Sequence, residues 1–295
     1  MDRIRDPVLD RFCLTTAEFR AQIETLGAVV DFAGVDGVLG GYARRPRALV
    51  TFDDAFRTVY THALPVLRDL GVPAVVCAPV GLVDSQRSVW SLELDLLCRH
   101  ASIAEIGIPE SDGGRCVLPL RTSRERERAR RFARLQAWRG RDRFPLELVA
   151  EIVRQVGPGT FGELLAAHPH LAIMSSAELR DLCRAGFEIA VHGFDHLALS
   201  RVGSAIRARE IAMARVRLGE LLGGWCPRVF CLPYGEGGAE AIGEVRREGY
   251  AVCLTTTSGR VEDPWLMGRF DGAQPRARLL GDIARHSQAM DTTAE

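Results

Sequence analysis

Three short segments combine residue types that can do chemistry together: Thr51-Phe52-Asp53-Asp54, His192-Gly193-Phe194-Asp195-His196 and Leu232-Pro233-Tyr234-Gly235. Two neutral imidazoles and one carboxylate can hold a divalent ion while leaving positions open for water and a substrate oxygen, which is how a catalytic site differs from a closed structural one. His192 and His196 supply the imidazoles. Of the adjacent Asp53 and Asp54, only one can readily face an ion while its neighbour points elsewhere, so the pair divides naturally into a ligand and a general base. Each signal alone is weak, because paired aspartates at a strand end more often cap a helix and histidines four apart occur by chance. Together they are informative because each follows an apolar run within one repeating pattern.

That pattern is strand, helix, strand. The run Arg47 to Phe52 reads as a buried strand stopping at the two aspartates, and Val59 to Leu70 has apolar residues at helical spacing before Gly71. Pro73 and Ala74-Val75-Val76-Cys77 restart a strand. Ser175 and Glu178 make a capping box for a helix closing at Ala185-Gly186, after which Phe187 to Val191 forms a strand ending at His192. A long amphipathic helix over Ser204 to Leu222 leads to the strand Arg228 to Leu232, and a helix near Ala239 to Glu248 leads to the strand Tyr250 to Thr255. Alternation of this kind predicts an α/β fold built on a parallel sheet, wound or closed into a barrel. The carboxyl ends of its strands would open onto one face and bring the three segments together.

Between about residues 98 and 172 the rhythm breaks into charged sequence with Gly- and Pro-containing turns, read as a mostly helical insertion; its run Arg121 to Arg143 is expected to be a solvated helix face held by i,i+4 pairs. The whole chain, 1–295, reads as one domain with a core over about 46–270, this insertion, and a polar tail at 271–295. The 38 basic and 38 acidic residues cancel, so the overall field gives no reason to expect nucleic acid or an anionic membrane as partner. All 38 basic residues are arginine, which composition bias explains without any function. The opening MDRIRDPVLDRF carries charges where a secretory signal needs an apolar core, and no run is long enough to span a bilayer, so a soluble, cytoplasmic protein is expected. The eight cysteines form no C-x-x-C pair, which argues for buried free thiols and against a cysteine zinc site.

The three segments resemble the motifs of the polysaccharide deacetylase family, also called the NodB-homology or carbohydrate esterase family 4 domain. The likeness runs from about Leu14-Thr15-Thr16-Ala17-Glu18-Phe19 to Phe270. It implies a distorted parallel (β/α) barrel of about seven strands with a helical insertion, and a carbohydrate N-deacetylase on one divalent metal, zinc or else cobalt or nickel, with Asp53 as general base and Asp54, His192 and His196 as ligands. By the same resemblance Pro233 and Tyr234 line the substrate groove, with the Tyr234 N–H facing the oxyanion. The implied substrate is a carbohydrate, with a small or lipid-linked amino sugar favoured. O-acetyl esters, or cyclic imides and ureides, are alternatives on the same site, and a non-catalytic carbohydrate-binding homologue is a third reading.

Three departures from the family pattern stand out. Gly193 occupies a position where many members have Ser or Thr, removing a hydroxyl that can steady the loop. Cys231 replaces an arginine of some subgroups, and Arg269 is the candidate to orient Asp53 instead. The late histidine many members use as general acid has only His286 as a poor match, and no histidine precedes His62. Asp195 is expected in the loop or behind the ligands, while His62, His100, His168 and His170 are given packing or surface roles.

Overall fold

The computed structural model describes residues 14–40, 44–257, 263, 265–274 and 276–291, with side chains of the last segment described at 277–285. In chain order its strands are β1 (Asp31–Phe32), β2 (Arg47–Ala48), β3 (Val50–Phe52), β4 (Ala74–Ala78), β5 (Glu105–Pro109), β6 (Arg115–Pro119), β7 (Glu188–Val191), β8 (Val229–Cys231), β9 (Val252–Leu254) and β10 (Leu266–Met267). The main sheet runs β10-β9-β8-β7-β4-β3, every neighbouring pair parallel. This is the expected distorted (β/α) barrel, with six sheet strands among the described residues rather than about seven.

Both faces of this sheet are covered, which is why its strands read as continuous apolar runs. Val76, Ala78, Ile189, Val191 and Phe230 pack into the larger core on one face. The alternate residues Val75, Cys77, Ala190, Val229, Cys231 and Leu254 pack on the other. Register then sets the site: Phe52 pairs with Val76, Ala78 with Val191, Val191 with Phe230, and Cys231 with Leu254. Asp53, His192 and Leu232 each follow the last residue of a strand, so the strand ends deliver all three segments to one rim.

The helices are α1 (Thr16–Gly27), α2 (Val35–Leu39), α3 (Leu64–Asp69), α4 (Trp90–His100), α5 (Ser123–Arg139), α6 (Phe144–Val156), α7 (Pro158–Ala167), α8 (Ser176–Arg184), α9 (Ser204–Ala208), α10 (Ala214–Leu221), α11 (Gly238–Arg247) and α12 (Arg276–Asp291). The Ser175–Glu178 capping box is present, and a second one, Thr15 with Glu18, starts α1. The helix expected over Ser204 to Leu222 exists but widens into a π-helical turn at Arg209–Met213.

Two elements went unread in the sequence. The insertion is mostly helical as expected, and it also carries an antiparallel hairpin of β5 and β6 turned at Ser111 to Gly114, which the prolines and glycines at its ends concealed. Its core reaches back to Trp90, Leu94 and Leu97 of α4, before the expected boundary at 98. The polar tail contains α12, whose Leu279 is buried against Leu26 and Val30. The arginine-rich run is α5, where Glu127 pairs with Arg131 at 2.7 Å as i,i+4. Arg134 and Arg130 also reach the buried Asp95 of α4, at 2.7 and 3.3 Å, so part of this face is a joint between helices. No helix among the described residues is long and apolar enough to cross a membrane.

Candidate metal and hydrolysis site

At the strand rim the Asp54 carboxylate meets both histidines. Asp54 Oδ1 lies 3.0 Å from His196 Nε2 and 3.6 Å from His192 Nε2, and the two Nε2 atoms are 3.2 Å apart. His192 Nδ1 sits 2.9 Å from the Cys231 carbonyl, which can only accept, so the ring proton is on Nδ1 and Nε2 carries its lone pair toward Asp54. Both imidazoles are buried, and Asp54 Oδ1 is a buried oxygen without a hydrogen bond. Lone pairs converging out of solvent call for a cation between them. A tetrahedral ion about 2.0–2.1 Å from each ligand would space the ligand atoms roughly 3.3 Å apart, close to the three separations found. The donor set therefore fits a divalent metal.

The backbone is bent to make this possible. Asp54, Ala55, His196 and Tyr234 all adopt left-handed conformations, with φ of 64°, 50°, 57° and 58°. Non-glycine residues enter this region at a cost of roughly 1–2 kcal/mol each, and such strain persists where surrounding structure enforces it. The enforcing contacts are visible. Trp90 Nε1 donates to the His196 carbonyl at 3.1 Å. The Tyr234 ring stands edge-on to His196 at 4.8 Å and to Trp138 at 5.4 Å, with Trp90 at 5.9 Å.

Asp53 turns away from the histidines and onto Arg269. The guanidinium forks across the carboxylate, Nη1 to Oδ1 at 2.7 Å and Nη2 to Oδ2 at 2.9 Å, and is itself aimed by the Thr255 carbonyl and Thr51 hydroxyl. Burial raises the proton affinity of Asp53, but the nearby His192 ring and the hydrogen bonds and charge of Arg269 outweigh it and hold the carboxyl well below the usual range. The Cys231 thiol adds a 3.4 Å contact to Oδ1. Cys77, Cys231 and Asp53 offer ligand atoms within 4.8 Å of one another, a grouping that the scattered cysteines did not suggest. Arg269 already neutralises that carboxylate, so a cation is favoured at Asp54 instead.

The Pro233–Gly235 turn closes the rim. Gly235 N–H donates to Leu232 O and Glu236 N–H to Pro233 O, while the Tyr234 N–H takes no acceptor among the described residues. Asp195 is held by Arg143 at 2.8 Å and Arg209 at 3.4 Å, so it is ion-paired rather than joined to the Asp54 group. His100, His168 and His170 gather on the insertion, with ring centroids 4.9 and 5.7 Å apart along the series. His62 contacts the Thr61 hydroxyl. The His286 side chain lies outside the described residues. Residues the sequence reading missed are Trp90, Trp138, Arg143 and Glu210; only Glu210 left a signal, a carboxylate on the buried Ala214, Leu218, Leu221 stripe of its helix.

Two imidazoles and a carboxylate thus stand beside an arginine-held aspartate at the rim of a (β/α) barrel, an arrangement able to hold an ion and a base next to one another. The family model described as polysaccharide deacetylase matches residues 162–253, a stretch containing both histidines and the Pro233–Gly235 turn. The resemblance read from the motifs is borne out over that stretch. The deacetylase PplD of Streptococcus pyogenes, solved in complex with acetate, is similar with a TM-score of 0.57 and 12% identity, covering 95% of this chain and 92% of that one. IcaB from Ammonifex degensii is similar with a TM-score of 0.53 and 18% identity, over 87% and 83%. A polysaccharide deacetylase from Bacillus cereus gives 0.54 and 14% identity, over 92% of this chain and 62% of that one. At such identities the likeness is one of fold. No curated protein matches the chain in sequence.

The Arg269 fork makes a prediction. Arg269→Lys keeps the positive charge but replaces two parallel bonds by a single flexible ammonium. With charge-assisted bonds worth about 1.5–3 kcal/mol, kcat is expected to fall roughly 10- to 100-fold while bound metal, read by elemental analysis, stays at the wild-type level. Loss of metal in this variant would show that Arg269 supports the ligand set rather than Asp53.

Proposed function

We propose that this chain is a divalent-metal-dependent hydrolase that removes an N-acetyl or similarly small acyl group from an amino sugar. The observation that carries the reading is the meeting of Asp54, His192 and His196 within 4.8 Å, beside an Asp53 fixed by Arg269. These three residues would hold the ion, zinc in the first instance, with cobalt or nickel accepted by the same imidazole and carboxylate donors. When bound, it supplies Lewis acidity, polarising the acyl carbonyl and acidifying the attacking water.

The remaining steps belong to the protein. Asp53, kept anionic by Arg269, takes the proton that water loses as it attacks. The free Tyr234 N–H donates to the carbonyl oxygen as negative charge gathers there, and the fixed turn at Pro233 spares reorganisation at that moment. The departing nitrogen needs one proton, and the protonated Asp53 formed in the first step carries one. Small or lipid-linked N-acetylated amino sugars are the favoured substrates.

The test is acetate release by zinc- or cobalt-loaded protein from N-acetylated free, nucleotide-linked and lipid-linked sugars, O-acetyl esters and cyclic imides, with Asp54→Ala as control. Release from an amino sugar that vanishes in the control supports the reading. Turnover confined to esters or imides replaces the substrate class, and stoichiometric metal binding without turnover of any compound supports a carbohydrate-binding role instead.

A further inference from the structure

The loop between the two histidines is a tight, strained ring: Gly193 has φ 76° and His196 has φ 57°. Two of its backbone N–H groups, those of Phe194 and Asp195, share one buried acceptor, Glu210. Oε2 of Glu210 accepts from Phe194 N–H at 2.8 Å, and both carboxylate oxygens lie 3.1 Å from Asp195 N. Glu210 is 0% exposed.

Two further observations tie this group to the loop's sequence. A Cβ built on Gly193 would stand 2.6 Å from Glu210 Oε2, so the carboxylate occupies the space that a serine or threonine side chain at 193 would fill. Glu210 also sits in the π-helical turn Arg209–Met213. The extra residue in that turn changes which side chains face inward, and such turns recur at functional sites. Its neighbour Arg209 grips the outer side of the same loop, with its guanidinium carbon 4.3 Å from the Phe194 ring centre and an ion pair to Asp195.

We infer that Glu210 is a positioning residue for the metal ligands: its carboxylate, filling the space that a side chain at Gly193 would need, is the anchor that shapes the His192–His196 loop. Gly193 and Glu210 are then a coupled pair, each required by the other. The inference rests on the metal-dependent reading above, because a preformed pair of imidazoles matters most when an ion must be held between them.

The experiment measures Zn²⁺ affinity by competition with a chromophoric chelator, without substrate, for wild type, Glu210→Gln, Glu210→Ala, Gly193→Ser and the double variant Gly193→Ser/Glu210→Ala. Glu210→Gln keeps the shape but turns an acceptor oxygen into a donor facing N–H groups, so affinity is expected to drop roughly 10- to 100-fold, as for loss of other ligand-orienting partners. The visible spectrum of the Co²⁺ form is expected to change with it. Gly193→Ser alone is expected to lose comparable affinity through the clash. The double variant removes the clash and restores a hydroxyl, and it is expected to bind about tenfold or more tightly than the product of the two single losses. Wild-type affinity and spectrum in Glu210→Gln, or strictly multiplicative losses in the double variant, overturn the inference. Absence of Zn²⁺ binding by the wild type overturns the metal-dependent reading itself, and this inference with it.

Discussion

Asp53→Asn is expected to lower kcat by roughly 10²- to 10⁴-fold, the range general-base catalysis supplies, with metal content retained. Asparagine matches the carboxylate in size but cannot take a proton from water, and one of its two polar atoms presents N–H to the Arg269 fork that now grips both oxygens. The ligand atoms on Asp54, His192 and His196 are untouched. Single-turnover rates measured beside elemental analysis separate the two effects. If the variant keeps more than about a tenth of its activity, Asp53 is not the base. If it loses its metal, Asp53 is part of the ligand set.

The second large effect is expected at His196. His196→Ala removes one of three protein ligands and should weaken Zn²⁺ binding by more than the roughly 10- to 100-fold typical of an outer-shell loss, with turnover falling in parallel. Stability gives an independent readout. A ligand that binds only the folded state stabilises it by about 2.7 kcal/mol at one hundred times its Kd, so added zinc should raise the wild-type melting temperature and leave His196→Ala unmoved. In the metal-free state the variant is expected to melt no lower than wild type in spite of the cavity, because it relieves a buried imidazole with an unpartnered Nδ1. A metal-induced rise that survives in the variant would place the ion elsewhere.

The sequence carried the site better than its support. Asp53, Asp54, His192 and His196 were legible because each segment ends an apolar run, and parallel register turns that local fact into convergence. Arg269 was legible as a candidate only through the gap left by Cys231. The hairpin of Glu105–Pro109 and Arg115–Pro119 was hidden because its prolines and central glycine look like breakers, and its register depends on packing against α5 and α6. Trp90 and Trp138 were invisible as site residues since neither shares a motif with Tyr234; they meet only once the insertion has folded. The π-helical turn at Arg209–Met213 lies inside a sequence that fits an ordinary helix, so the residue it directs at the loop could be suspected only from its charge.

The insertion's apolar core includes Trp90, Leu94, Leu97 and Leu197 and takes Tyr234 against it, while the Trp90 indole is bonded to the His196 carbonyl. For protein engineering this makes 98–172 a poor place to shorten the chain. A trimmed version would expose the inner face of α4 to water and take Trp138 away from the Tyr234 turn, so a minimal barrel cannot be carved from this molecule by deletion alone. Grafting faces the converse constraint: the hairpin and α5 to α7 would seat on another barrel only together with partners for Trp90 and Tyr234 on the recipient rim.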